Sequence, residues 1–224
     1  MQIGIDLGAT KIESVLLDEN GKEHLREREK SPQDYSKTLT SIKNIVNKIE
    51  KKFAKKYNVG VCHPGSISSD TGLLKNANNS PWLNGNPFQK DISKLLDRTI
   101  YCENDANCFA LSEAKDGSAS HYKIVFGVIL GSGCGGGLVV DKKIISGTNN
   151  LSGEWGHNPL PYYGINEDIS ILQSTLVPNL SIEKFISGKG LETLYLEKFN
   201  KKISTKEIFS KKEENLEFIE NFFN

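Results

Sequence analysis

The sequence predicts an α/β protein whose plan is begun twice. Three observations carry this. A meander of short β-segments opens the chain, helical and extended segments alternate after it, and near residue 121 a new apolar run with a glycine-rich turn restarts the pattern. The composition suits such a fold. A length of 224 residues corresponds to roughly one and a half domains, and 37% apolar with 25% charged residues is ordinary for a globular chain. The 28 basic side chains balance 28 acidic ones, so there is no basic surface for a nucleic-acid partner. The longest near-continuous apolar run, residues 124–130, is too short for a membrane span or a secretory signal. Cys62, Cys102, Cys108 and Cys134 are scattered without a CxxC pair, which predicts a reduced, cytoplasmic setting.

The elements follow in order. Ile3 and Ile5 alternate with polar or small neighbours, residues 12–17 form a second apolar run, and Asn20-Gly21 predicts a type I′ hairpin turn. Ser31-Pro32 with Asp34 predicts an N-cap, a proline at the first helical position and a capping-box acid. Tyr35, Leu39, Ile42, Val46, Ile49 and Phe53 then recur at helical spacing. A strand over residues 59–62 breaks at His63-Pro64-Gly65. The polar stretch over residues 66–86 is long for a passive connection. A helix over 88–98, a strand over 100–103 and a helix opening at Asn104-Asp105 complete the first half.

The second half opens as the first did, with a strand over 123–130, a glycine turn over 131–137, a strand over 138–141 and another at Ile144-Ile145. From residue 189 onward lysines and glutamates are balanced, which predicts solvated helix faces rather than a binding tail. Ser204 and Glu207 form a capping-box pair. Leu216, Ile219 and Phe223 make an apolar stripe that needs a surface to pack on, so self-association as a homodimer is an expectation.

Several groups carry chemistry. Residues 6–11, between two hairpin strands, combine a carboxylate, a glycine and Thr and Lys donors. They suit a phosphate and magnesium cradle as well as they suit a plain polar turn. Residues 131–137 contain the G-x-G-x-x-G spacing, but a dinucleotide fingerprint must open a helix and here a strand follows. The glycines are read as a turn whose backbone N–H groups surround an anion. Asp105, between a strand and a helix, is the candidate general base, with helix N-capping as the alternative; neighbouring Asn104 favours the base. Glu154 and His157 stand about one helical turn apart. Asn76, Asn78, Asn79 and Asn84 crowd the polar loop, where amides serve sugar hydroxyls or turns.

Taken in order, DLGATK (6–11), HPGSIS (63–68), KNANNSPWLNG (75–85), ENDANC (103–108), LGSGCGGG (130–137) and GEWGHNPLP (153–161) resemble the ROK family of sugar kinases, within the actin-like ATPase superfamily. The likeness is strongest to the bacterial fructokinase type. It implies the duplicated actin-like (ribonuclease H-like) fold, here with residues 1–118 as the first domain and 119–224 as an incomplete second one. It also implies ATP and Mg2+ in a cleft between them. Gly4, Ile5, Asp6, Leu7, Gly8, Ala9, Thr10 and Lys11 would form the first phosphate-binding hairpin. Ser132, Gly133, Cys134, Gly135, Gly136 and Gly137 would form the second. Asp105 matches the family's catalytic base, and Gly65, Asn78, Asn104, Glu154, His157 and Glu183 match sugar-contacting positions.

Departures from the family are equally specific. The family's structural zinc is held by a histidine, here His157, and three cysteines, yet no cysteine follows Cys134, so zinc is expected to be absent. Residues 164–181 lose the likeness, His63 stands where an aliphatic residue is usual, and the expected C-terminal αβ units are missing. The implied function is ATP-dependent phosphorylation of a hexose, most readily fructose to fructose 6-phosphate, in the cytoplasm. The alternative is a truncated, non-catalytic sugar-binding remnant. A ROK-type repressor is disfavoured, because the first hairpin leaves no room ahead of it for a helix-turn-helix.

Overall fold

The computed structural model describes residues 1–159 and 181–223; the divergent 164–181 segment therefore lies, apart from Ser181, outside the described residues. The chain packs as two compact units. One comprises Met1–Gly127 with Gly137–Ser152, the other Val128–Gly136 with the described residues of Gly153–Asn224.

The first unit is built on a five-stranded sheet. Strands β1 (Gln2–Leu7), β2 (Lys11–Leu17) and β3 (Glu23–Lys30) form the antiparallel meander, and β4 (Asn58–His63) and β7 (Tyr101–Asn104) join parallel to β1, giving the order β3-β2-β1-β4-β7. Between β4 and β7 runs a short hairpin, β5 (Ser66–Ile67) with β6 (Leu74–Lys75), followed by a 3-10 turn at Pro81–Leu83. Period-two alternation turns Ile3, Ile5 and Leu7 inward. Helix α1 (Tyr35–Phe53) lays Ile42, Ile45, Val46 and Ile49 on the same core, and α2 (Phe88–Leu96) adds Phe88, Ile92 and Leu96. Each fully buried side chain of this kind contributes about 1.5–3 kcal/mol.

Two local expectations are corrected here. The β2–β3 connection is not a type I′ turn at Asn20-Gly21, since only Gly21 has positive φ (78°). It is a longer loop organised by Asp18, whose carboxylate accepts from the N–H groups of Asn20 (2.9 Å) and Lys22 (3.0 Å). Nor does α1 begin at Ser31-Pro32. Asp34 is the N-cap and accepts from the Lys37 N–H at 2.8 Å, which takes the capping role one turn later.

Arg98 ties the end of the α2 segment to α1. Its Nη1 lies 2.6 Å from Glu50 Oε1 and its Nη2 3.0 Å from Oε2, and Nη1 also donates to the Tyr57 carbonyl at 2.8 Å. Burial would raise the Glu50 carboxyl, but the Arg98 guanidinium and the Tyr57 N–H outweigh it and hold the group below the usual carboxylate range. A depressed folded pKa means that this stabilisation is present above the unfolded pKa and is lost as pH falls through the folded value. Urea melts from pH 7 down to pH 3 are therefore expected to show a smaller acid loss of stability for Glu50→Gln than for the unaltered chain.

Helix α3 (Asp105–Lys115) follows β7 directly, and β8 (Ile124–Leu130), β9 (Cys134–Val140) and β10 (Lys143–Ile144) form a three-stranded sheet in the order β10-β9-β8. The glycine-rich run is therefore not all turn. Its exposed tip is 131–132, while Gly135, Gly136 and Gly137 already lie in β9. A Cβ at Gly137 would stand 2.7 Å from the Ala106 carbonyl oxygen and 2.8 Å from Ala110 Cβ, and one at Gly127 would stand 2.8 Å from Ala110 Cβ. The bare backbone lets α3 approach the strands. At the other end of α3, the Lys142 ammonium donates to the carbonyls of Ala114 and Ser120, a cation where the helix dipole favours one.

In the second unit α4 (Ile182–Ile186) precedes α5 (Gly188–Phe199), α6 (Thr205–Ser210) and α7 (Leu216–Phe223), and the last three gather a small core of Leu191, Tyr195, Ile208, Phe218 and Ile219. The predicted capping box forms, with the Ser204 and Glu207 side chains each bonded to the other's backbone N–H. Of the predicted apolar stripe, Ile219 is buried in this core beside Phe218, Leu216 is exposed, and the Phe223 side chain lies outside the described residues. Ile219 thus finds its partners within its own unit. Among the described residues no helix is long and apolar enough to cross a membrane.

Candidate active site

The parallel register of the first unit brings three chain segments to one end of the sheet. Asp6 pairs with Cys62 and Cys62 with Glu103, so Asp6, the His63-Pro64-Gly65 turn and Asn104-Asp105 emerge side by side at the carboxyl ends of β1, β4 and β7. Ligand sites of open α/β sheets lie outside such strand ends.

Asn104 locks the arrangement. Its side-chain oxygen accepts from the N–H groups of Ala106 (2.9 Å) and Asn107 (3.2 Å), and its amide nitrogen donates to the Gly65 carbonyl at 2.9 Å. Asn104 is therefore the N-cap of α3, and the capping alternative for Asp105 falls away. Gly65 has φ +77°, and a Cβ there would stand 2.3 Å from the Lys75 carbonyl oxygen. Only glycine fits. Glu103, which sequence reasoning passed over, accepts from the Asn104 N–H (2.8 Å) and from the Asn107 side chain (3.0 Å), bracketing the same turn. The four-residue spacing of Glu103 and Asn107 around Asn104 was the signal available.

Asp105 occupies the first helical position with its side chain exposed, accepting one hydrogen bond from the Ala106 N–H at 2.9 Å. Loss of hydration beside the surrounding protein raises its pKa above the ordinary aspartate value. The Ala106 N–H opposes this rise, and the negative charge of Asp6 adds to it. His63 is fully buried, its Nδ1 3.1 Å from the Pro64 carbonyl and its ring edge-on to Phe88 at 5.7 Å. Burial holds its pKa down despite the nearby charges of Glu103 and Asp105, which favours the neutral imidazole.

The predicted first hairpin forms around an 8–10 turn closed by the Gly8 N–H to the Lys11 carbonyl at 3.0 Å, with Asp6, Thr10 and Lys11 exposed. Asn78 is exposed in the polar loop, whereas Asn84 is structural, accepting from the Ala77 N–H at 2.9 Å.

In the second unit, Glu154 and His157 flank a 3-10 turn at Trp155–His157 and lie 3.5 Å apart. The Glu183 carboxylate accepts from the Cys134 N–H at 2.8 Å and packs where a Gly133 Cβ would be, at 2.5 Å. The Trp155 indole donates to the Gly135 carbonyl at 2.9 Å. Here the structure joins Glu183 and Cys134, assigned to sugar and phosphate respectively, into one hydrogen-bonded pair.

Magnesium, which the resemblance brings with ATP, fits the donor set. Asp6 and Asp105 are exposed hard-oxygen donors whose charges interact. Zinc does not fit. The family's set needs three cysteines beside a histidine, and no cysteine follows Cys134 to share a tetrahedral site with His157.

Comparison with known proteins places the chain. The ROK family profile matches residues 2–224. A protein of Histophilus somni named N-acetyl-D-glucosamine kinase is 37% identical over 231 aligned positions, covering 99% of this chain and 75% of that protein. One of the same name from Mannheimia succiniciproducens is 37% identical over 216, covering 94% and 71%. The fold is similar to that of the ROK hexokinase from Thermus thermophilus, with a TM-score of 0.78 at 23% identity, over 93% of this chain and 67% of that one. This protein belongs to the ROK family, the family that its six motifs resemble.

Proposed function

We propose that the chain transfers the γ-phosphoryl group of ATP to a hydroxyl of N-acetylglucosamine or a close N-acetylhexosamine. Fructose is the sugar that the motifs alone suggest, but the relatives at 37% identity carry the N-acetylglucosamine name, and they shift the reading toward the amino sugar.

The observation that carries the kinase reading is Asp105. It is freed from capping by Asn104, open to solvent, and has a raised proton affinity. Such a carboxylate accepts the proton of an attacking hydroxyl, with positioning and charge neutralisation supplying most of the rate. Asn104 keeps one amide hydrogen beyond its Gly65 bond for a sugar oxygen. In this reading Gly65 and Asn78 line the same strand-end site, Glu154, His157 and Glu183 supply further sugar contacts, and residues 4–11 and 132–137 hold the phosphates. Asp6 would hold magnesium, which when bound neutralises phosphate charge.

The test is ADP release by the purified chain with ATP and magnesium over a panel of N-acetylglucosamine, N-acetylmannosamine, glucose, mannose and fructose. Turnover is expected with the N-acetyl sugars first. Sugar binding in calorimetry without ADP release from any of them would favour the non-catalytic remnant.

A further inference from the structure

Beside the strand-end site, within the first unit, lies a cavity of about 220 Å3 lined by His63, Ser66, Gln89, Asn104, Asn107 and Asn150, among others. Most of its lining residues are polar, the Glu103 carboxylate among them, with Ile67 and Cys102 as apolar members. It shares Asn104 with the candidate sugar positions, and Ser66 follows Gly65 directly.

Two of the lining side chains are more than nine-tenths buried and lack a hydrogen-bond partner at one atom each: His63 at Nε2 and Ser66 at Oγ. Unpartnered buried polar atoms cost free energy and are rare in native folds, so each of these two, opening on the cavity, calls for a partner atom from solvent or from a ligand. Their polarities differ. The Pro64 carbonyl facing His63 Nδ1 can only accept, so Nδ1 carries the proton and Nε2 presents a lone pair. Ser66 Oγ has a hydrogen to donate. An acceptor and a donor lining one cavity complement an amide, which offers one N–H and one carbonyl oxygen on separate atoms, whereas a sugar hydroxyl would have to serve both from one oxygen.

We propose that this cavity receives the acetamido group of an N-acetylhexosamine, with His63 Nε2 accepting its N–H and Ser66 Oγ donating to its carbonyl. The inference rests on the sugar-kinase reading above and adds the residues that select the substrate. It also gives a role to His63, which departs from the aliphatic residue usual in the family.

The test is the ratio of kcat/KM for N-acetylglucosamine to that for glucose. Because a site built to bond a polar group discriminates strongly against ligands that fail to match it, His63→Leu and Ser66→Ala are each expected to lower that ratio by about tenfold or more. An unchanged ratio, including a parallel fall for both sugars, overturns the assignment and leaves the cavity to solvent. Ser66→Ala removes a single oxygen and keeps the test decisive if His63→Leu does not fold. If the unaltered chain turns over neither sugar, the kinase reading fails by itself. The cavity is then judged by calorimetry: tighter binding of N-acetylglucosamine than of glucose, lost in Ser66→Ala, supports it, and equal binding of the two sugars overturns it.

Discussion

Asp105→Asn is expected to lower kcat by about 10²- to 10⁴-fold, the usual contribution of a positioned general base, while sugar affinity measured by calorimetry stays nearly unchanged. The structure explains why fold and activity should separate here. The α3 cap is made by Asn104, and the hydrogen bond that Asp105 accepts from the Ala106 N–H can also be accepted by an asparagine oxygen. The substitution removes the proton acceptor and little else. A variant that melted far below the unaltered chain would point to a structural role for the carboxylate, and one with full turnover would remove Asp105 from the mechanism.

Gly65→Ala should show the largest effect on stability. Holding alanine at φ +77° costs about 1–3 kcal/mol. The added methyl group, 2.3 Å from the Lys75 carbonyl oxygen and 2.8 Å from the Ala77 nitrogen, adds about 1–3 kcal/mol of overpacking. These atoms are backbone, so rotamer change cannot relieve the clash. The urea midpoint should fall accordingly, with the m-value retained. The Gly65 carbonyl also anchors Asn104, so whatever movement relieves the clash is transmitted to the cap of α3. A midpoint within error of the unaltered chain would show that the 63–65 turn can relax without cost.

Much of the fold was legible because it is written in periodicity. The alternation of Ile3 and Ile5, the helical spacing from Tyr35 to Phe53 and the Ser204–Glu207 box all appear where the sequence places them. Local capping was less so: Ser31-Pro32 and Asp34 are competing start signals three residues apart, and only the path of the chain out of β3 decides for Asp34. Motif order identified the family and singled out Asp105. What sequence could not show was tertiary. The bond from Cys134 N–H to Glu183 spans 49 residues. The isolation of His63 Nε2 and Ser66 Oγ depends on which groups from β5, α2, α3 and the 146–150 loop close around them. The five glycines between 131 and 137 suggested an anion cradle, yet Gly137 serves the packing of α3.

That last contact bears on how reproducibly Asp105 is aimed. Where a helix rests on side chains, thermal hopping between rotamers lets it slide by fractions of an ångström. At Gly127 and Gly137 there is no side chain to hop, and Ala110 carries only a methyl group. At these two points the helix meets the strands through main-chain and methyl atoms, while Val125, Val139 and Ile144 pack on the same helix beside them. The Asp105 carboxylate, at the first turn of that helix, therefore takes its position in part from backbone contacts that no rotamer change can relax, and a methyl group added at Gly127 or Gly137 would displace the helix that carries it.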